Sequence, residues 1–135
     1  MNFNSQICTT KEQSERLLAL GLKMETSDMY YLNYGLIGLI PQIRDVKTCL
    51  EDDDIPAWSL HRLIEMIPNE IKVGDSFAYL IVSNKKVQYY FHDVEYSDYL
   101  TGVGCWKYGN IYDNIIDCIE WLIKEGYFNK EYLEE

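Results

Sequence analysis

Apolar residues near the end of the chain recur at intervals of three and four: Tyr112, Ile115, Ile116, Ile119, Leu122 and Ile123. That spacing lines one face of an α-helix, with Asn110 placed to cap its first turn and Gly126 to stop it. A first helix is announced by Thr10-Lys11-Glu12-Gln13, where the threonine hydroxyl can accept from backbone amides while Gln13 reaches back. Leu17, Leu18 and Leu20 give it an apolar end, Gly21 supplies a left-handed stop and Leu22 can fold back, for a span of about 11 to 20. A second helix is expected to open at Ile55-Pro56-Ala57-Trp58, because proline in a first turn lacks only an N–H that has no partner there. Trp58, Leu63, Ile64 and Ile67 would form its inner face, and Pro68 would end it.

Strand patterns occupy the intervening segments. The clearest is Phe77 to His92, two apolar segments around Ser83-Asn84-Lys85-Lys86. Pairing Val82 with Val87 sets Leu80 opposite Tyr89 and Ala78 opposite Phe91, which makes one side wholly apolar and directs it to the helices. The other side carries Phe77, Tyr79, Ile81, Gln88, Tyr90 and His92, too aromatic for an ordinary wet face and too polar for a dry core. Val103 to Tyr108 is expected as a third strand of the same sheet. Met29 to Ile40 reads as one or two short strands with a turn or bulge near Tyr34-Gly35, and Arg44 to Leu50 as a further candidate strand. Tyr127 to Glu135 either docks through Tyr127, Phe128 and Leu133 or frays. Together these elements predict an α+β fold: an antiparallel sheet of about three to five strands packed against three helices in one pair of layers.

Composition sets the scale. A chain of 135 residues, 47% hydrophobic and 25% charged, can bury a core without staples, so residues 1–135 are expected to form a single domain. Apolar runs are short, that of Leu36 to Ile40 being broken by Gly38 and ended by Pro41, far below the roughly 20 residues that span a bilayer, and no membrane association is expected. The opening MNFNSQICTT has neither a basic start nor an apolar stretch leading to a cleavage site, which makes the cytoplasm the expected location. Cys8, Cys49, Cys105 and Cys118 are scattered without a C-x-x-C pair, so reduced and mostly buried thiols are expected. The net charge of -10 divides as 10 acids and 6 bases before Pro68, then 12 and 6 after it. A field of that sign repels phosphate backbones and disfavours direct nucleic-acid binding. It favours basic protein partners, although the same charge can serve solubility alone.

Candidate chemistry is sparse. A cysteine hydrolase needs a nucleophile, a base and an orienting group, and His61, His92, Asp93 and the four cysteines supply these in name only. Cys118 lies next to the inner face of the last helix, where burial makes a thiol inert, and Cys105 lies in a strand beside Trp106. His92 and Asp93, adjacent on a strand, point to opposite faces. Asp52-Asp53-Asp54 lacks the alternating donors, glycine and distant bidentate carboxylate of a calcium loop, and reads as an acidic lead-in to the second helix. Gly102-Val103-Gly104 has no third glycine and no following helix. No catalytic residue, metal site or cofactor is therefore expected. Trp58, Trp106 and Trp121 fit core or core-edge anchors, whereas the 12 tyrosines suit half-buried surfaces and interfaces.

Three segments, TTKEQSERLLALGLKMETSDMYY, DIPAWSLHRLIEMIP and IIDCIEWLIKEGY, carry a resemblance. In that order they resemble a group of uncharacterised small proteins of gut bacteria and their mobile genetic elements. The shared features are a T-K-E-Q-S-x-x-L-L start, an I-P-A-W-S-L segment and a closing W-L helix. The resemblance implies one compact domain and brings no activity, ligand or catalytic residue with it. The expected function is a non-enzymatic interaction or adaptor module, through a protein partner or self-association, using Phe77, Tyr79, Ile81 and Tyr90. The competing class is a small-molecule binder or enzyme with a tryptophan- and tyrosine-lined cleft, which a deep concave pocket would favour.

Overall fold

A computed structural model describes residues 5–45, 49–51, 53–91 and 101–135. The fold is α+β, with antiparallel sheets of three and four strands packed with three α-helices. The chain forms two compact units, Met1–Met66 with Lys130–Glu135, and Ile67–Asn129.

The first unit opens with α1, Lys11–Ala19, held by the expected capping box: Gln13 N–H donates to Thr10 Oγ1 at 3.1 Å, and Thr10 N–H to Gln13 Oε1 at 3.0 Å. Leu17 is fully buried, and Leu22 folds back to donate its N–H to Leu17 O at 3.2 Å. Met29–Asn33 (β1) and Leu39–Ile43 (β2) form a hairpin, and β1 also pairs with Ile55–Ala57 (β3), in the order β2-β1-β3.

That third strand corrects the sequence reading, in which Ile55 opened a helix and the aspartates led into it. Met29 and Tyr31 stand opposite Ala57 and Ile55, and Pro56 stands opposite Tyr30. The backbone bonds Arg44 N–H to Asp28 O and Tyr34 N–H to Gly38 O fix the even-numbered residues of β1 as the ones bonded to β2. By alternation the odd-numbered ones serve β3, so Pro56 sits where no ladder N–H is required. The helix α2, Leu60–Met66, begins later, with Ser59 Oγ accepting from Arg62 N–H at 3.1 Å. Asp28 secures this corner by accepting from both the N–H and the hydroxyl of Ser59. Arg44 and Asp45 lie outside any strand, and residues 46–48 of that candidate strand lie outside the described residues, as does Asp52.

Trp58 is wholly buried in this unit, with its backbone N–H on Thr9 Oγ1 at 3.1 Å and its indole N–H on Thr26 Oγ1 at 3.0 Å. The backbone amide and the one polar group of the indole ring are thus both satisfied away from water. Of the expected inner face of α2, Leu63 is buried and Ile64 only half-buried, with Met66 taking its place. The C-terminal segment docks rather than frays: Lys23 N–H reaches Tyr132 O at 2.9 Å, Glu134 N–H reaches Gly21 O at 2.7 Å, and Arg62 stacks over the Tyr132 ring.

The second unit is a four-stranded meander, β4 (Glu70–Val73), β5 (Ser76–Val82), β6 (Val87–Phe91) and β7 (Thr101–Trp106), followed by α3 (Ile111–Glu125). The β5–β6 register is the expected one, with Val82 opposite Val87, Leu80 opposite Tyr89 and Ala78 opposite Phe91. Strand β7 joins the same sheet, whereas β4 was not anticipated; of its four residues only Ile71 is buried. Helix α3 packs on β6 and β7, burying Tyr112, Ile115, Ile116, Ile119 and Leu122 against Val87 and Tyr89. Trp121 stacks between Trp106 and Tyr89, at 5.4 and 6.2 Å between ring centres.

Candidate functional site

The period of two along β5 places Phe77, Tyr79 and Ile81 on the side of the sheet opposite Ala78, Leu80 and Val82. Tyr90 of β6 lies directly opposite Tyr79, and their rings meet at 6.3 Å with a 52° tilt. All four residues singled out from the sequence therefore share one face. Phe77 is 45% and Tyr79 39% exposed, while Ile81 and Tyr90 are half-buried. Lys72 stands opposite Phe77, Glu70 opposite Tyr79, and Gln88 opposite Ile81 with Cys105 beyond it. The aromatic strip is thus edged by one base and one acid. His92, assigned to the same face, lies outside the described residues, as does Asp93.

A second apolar surface was missed by sequence reasoning. From Met29 to Ile43 the chain contains no charged residue, the longest such stretch in the sequence. At its tip Leu36 is fully exposed and Ile37 is 78% exposed; Ile43, at the far end of β2, is 82% exposed. Gly35 and Gly38, at φ 63° and 100°, hold the tip in a short 3-10 turn closed by Tyr34 N–H on Gly38 O at 2.9 Å. Beside the base of this hairpin is an open groove of about 750 Å³, walled by Ile7, Met29, Pro41 and Ile43, with Asp28 and Arg44 at its polar end. Gln42 and Ser59 complete a lining that is half aliphatic and half polar, and among the described residues no tryptophan or tyrosine contributes to it. The missing charge over 29–43 was the signal in the sequence that could have found this surface.

The groups considered for chemistry are dispersed. Cys8 and Cys118 are buried, and burial pushes both thiols up from the ordinary range, away from the thiolate a nucleophile needs. Cys49 and Cys105 are exposed, which corrects the expectation of mostly buried thiols: Cys49 lies outside any strand or helix, and Cys105 alternates on β7 with Trp106, the residue whose ring meets Trp121 of α3. His61 stands on the outer surface of α2, 3.4 Å from Glu65 one turn on. Among the described residues no three His, Cys, Asp or Glu side chains gather closely enough to hold a metal ion, and no helix is long and apolar enough to cross a membrane. No family model, curated protein or solved structure matches the chain.

Proposed function

We propose that this protein is a non-enzymatic protein-interaction module that engages a partner through Phe77, Tyr79, Ile81 and Tyr90. The observation that carries this reading is the exposure of Phe77 and Tyr79 beside Tyr90, on a sheet whose opposite side already provides a complete apolar face to α3. Aromatic rings left at a surface in this way suit a contact that buries their area and leaves a hydroxyl wet. A net charge of -10 adds a preference for partners with basic rims and speeds encounter with them.

Replacing Tyr79 and Tyr90 together by Ser is the direct test. With a photo-crosslinking amino acid at position 77, a discrete partner adduct is expected that the double substitution abolishes, and that the same crosslinker at the exposed position 108 does not give. The melting temperature of the double variant should stay nearly unchanged. A large loss of stability in a monomeric protein would instead make these rings part of the fold and remove the support for an interface.

A further inference from the structure

We propose that the row Glu70, Tyr79 and Tyr90 on the aromatic face of the four-stranded sheet receives an arginine side chain from a basic segment of the partner. On the reading of that face as a partner surface, on which this proposal rests, the row is what makes the surface selective. Glu70 of β4, Tyr79 of β5 and Tyr90 of β6 stand side by side across three strands, and Gly102 of β7 ends the row without a side chain. Leu80 N–H donates to Asn69 O at 2.9 Å, so the next pair along, Glu70 and Tyr79, is a non-hydrogen-bonded one. In such pairs the cross-strand side chains approach most closely. The register thus sets a carboxylate beside Tyr79, which is 39% exposed, with the Tyr90 ring 6.3 Å beyond it.

Charge selects the occupant. Among the described residues no cation pairs with the Glu70 carboxylate, although Lys72 lies two residues along the same face. A carboxylate attracts a cation by its charge, and a tyrosine ring attracts one by its quadrupole, so the two act in the same direction here. A guanidinium meets both at once: its flat side stacks on a ring while its edge N–H groups donate to the carboxylate. A compact ammonium group has no flat side to stack.

The rest of the chain points the same way. A net charge of -10 draws a basic segment and repels a phosphate backbone, which removes most of the affinity of the other common ligand of aromatic rings on a sheet, a single-stranded nucleic acid. It equally opposes a second copy of this chain. Lys72 stands opposite Phe77, one row from Tyr79, and so confines the incoming cation to the Glu70 row.

The test is fluorescence anisotropy of the full chain with a dye-labelled peptide of alternating arginine and serine, and with its citrulline analogue, which keeps the shape and loses the charge. The arginine peptide should bind at low salt, and the citrulline peptide about tenfold more weakly or worse. Glu70→Gln should weaken the arginine peptide by about fivefold, while Lys72→Gln should tighten it by about twofold. Glu65→Gln, the same charge change on the other unit, should leave the affinity unaltered, which separates a local site from the pull of the net charge. Glu65, Glu70 and Lys72 are all exposed, so the far-UV circular dichroism of each variant should match that of the parent. An arginine peptide that fails to bind near millimolar concentration, a citrulline peptide that binds as well, or equal effects of Glu70→Gln and Glu65→Gln overturns the proposal. So does tighter binding of oligothymidylate, or a dimer of the chain itself, that depends on Tyr79 and Tyr90. The crosslink at position 77 tells this failure from that of the partner face. An adduct that Tyr79 and Tyr90 control but Glu70→Gln leaves at full yield removes the arginine site and keeps the interface, whereas an adduct indifferent to the two tyrosines removes both.

Discussion

Asn114 and Gly109 exchange a pair of hydrogen bonds across the entry to α3: Gly109 N–H donates to Asn114 Oδ1, and Asn114 Nδ2 donates back to Gly109 O, each at 3.0 Å. The amide is 1% exposed and its nitrogen also reaches Lys85 O at 3.4 Å, so one buried side chain ties the turn before the helix to the β5–β6 hairpin. Buried amides are stable only when paired in this way. Asn114→Ala, which strands backbone groups and opens space, should cost about 1 to 3 kcal/mol in urea denaturation. A change of a few tenths would mean that water replaces the amide without penalty.

Deeper in the same helix, Ile119 is fully buried on the stripe it shares with Ile115 and Leu122. Ile119→Ala removes those methyl groups from a closed core and should destabilise the fold by about 2 to 5 kcal/mol. A melting temperature that barely moved would contradict the packing of this face.

These two residues also mark what the sequence made legible. Ile119 belongs to a pattern contained in one segment, and the β5–β6 register follows from two adjacent segments whose apolar positions match only one way. Ile55-Pro56-Ala57 was read as a helix start because its local signal is that of a first-turn proline. Its strand state depends on backbone groups that Met29 and Tyr31 present from far along the chain. The same dependence on distant partners hid the division of the strands between two sheets. The four-residue face at Phe77, Tyr79, Ile81 and Tyr90 was legible because strand alternation sorts side chains by itself. Exposure at Leu36 and Ile43 was not, because it turns on what packs over them.

A Cβ built on Gly104 would lie 2.5 Å from the Trp106 ring, which folds back across the glycine. Gly104→Ala should therefore push Trp106 away from Trp121 and disturb their contact at 5.4 Å. The expected readout is a shift and intensity change in tryptophan fluorescence together with a lower melting temperature. Unchanged emission would place the Trp106 ring elsewhere in solution.

Burial holds the Cys118 thiol and the Tyr89 phenol above their ordinary values of 9.0 and 10.0. The folded protein keeps both protons at a pH where the unfolded chain gives them up. Stability from these groups is thus complete below pH 9.0 and declines as pH rises from there towards the raised folded-state values. The urea midpoint should hold between pH 7 and 8 and fall progressively above 9, and Cys118→Ala should flatten the first part of that fall. A midpoint that rose with alkaline pH would reverse the assigned sign.

The same burial divides the four cysteines into two kinetic classes. Cys49 and Cys105 are exposed, so an aromatic disulfide reagent reaches them in the folded protein. Cys8 is buried, donates to the Tyr31 hydroxyl at 3.4 Å and has its pKa raised by desolvation, and Cys118 is fully buried within α3. Attack at either requires the unit around it to open, which makes the rate there a measure of local unfolding. Native protein at pH 8 should release two equivalents of thiolate quickly, with the remaining two appearing only in denaturant. Cys49→Ser and Cys105→Ser should each remove one equivalent from the fast phase. Fast loss of a third equivalent would show that Cys8 or Cys118 is reached without unfolding, and a total below four in denaturant would reveal a thiol already consumed in a covalent bond.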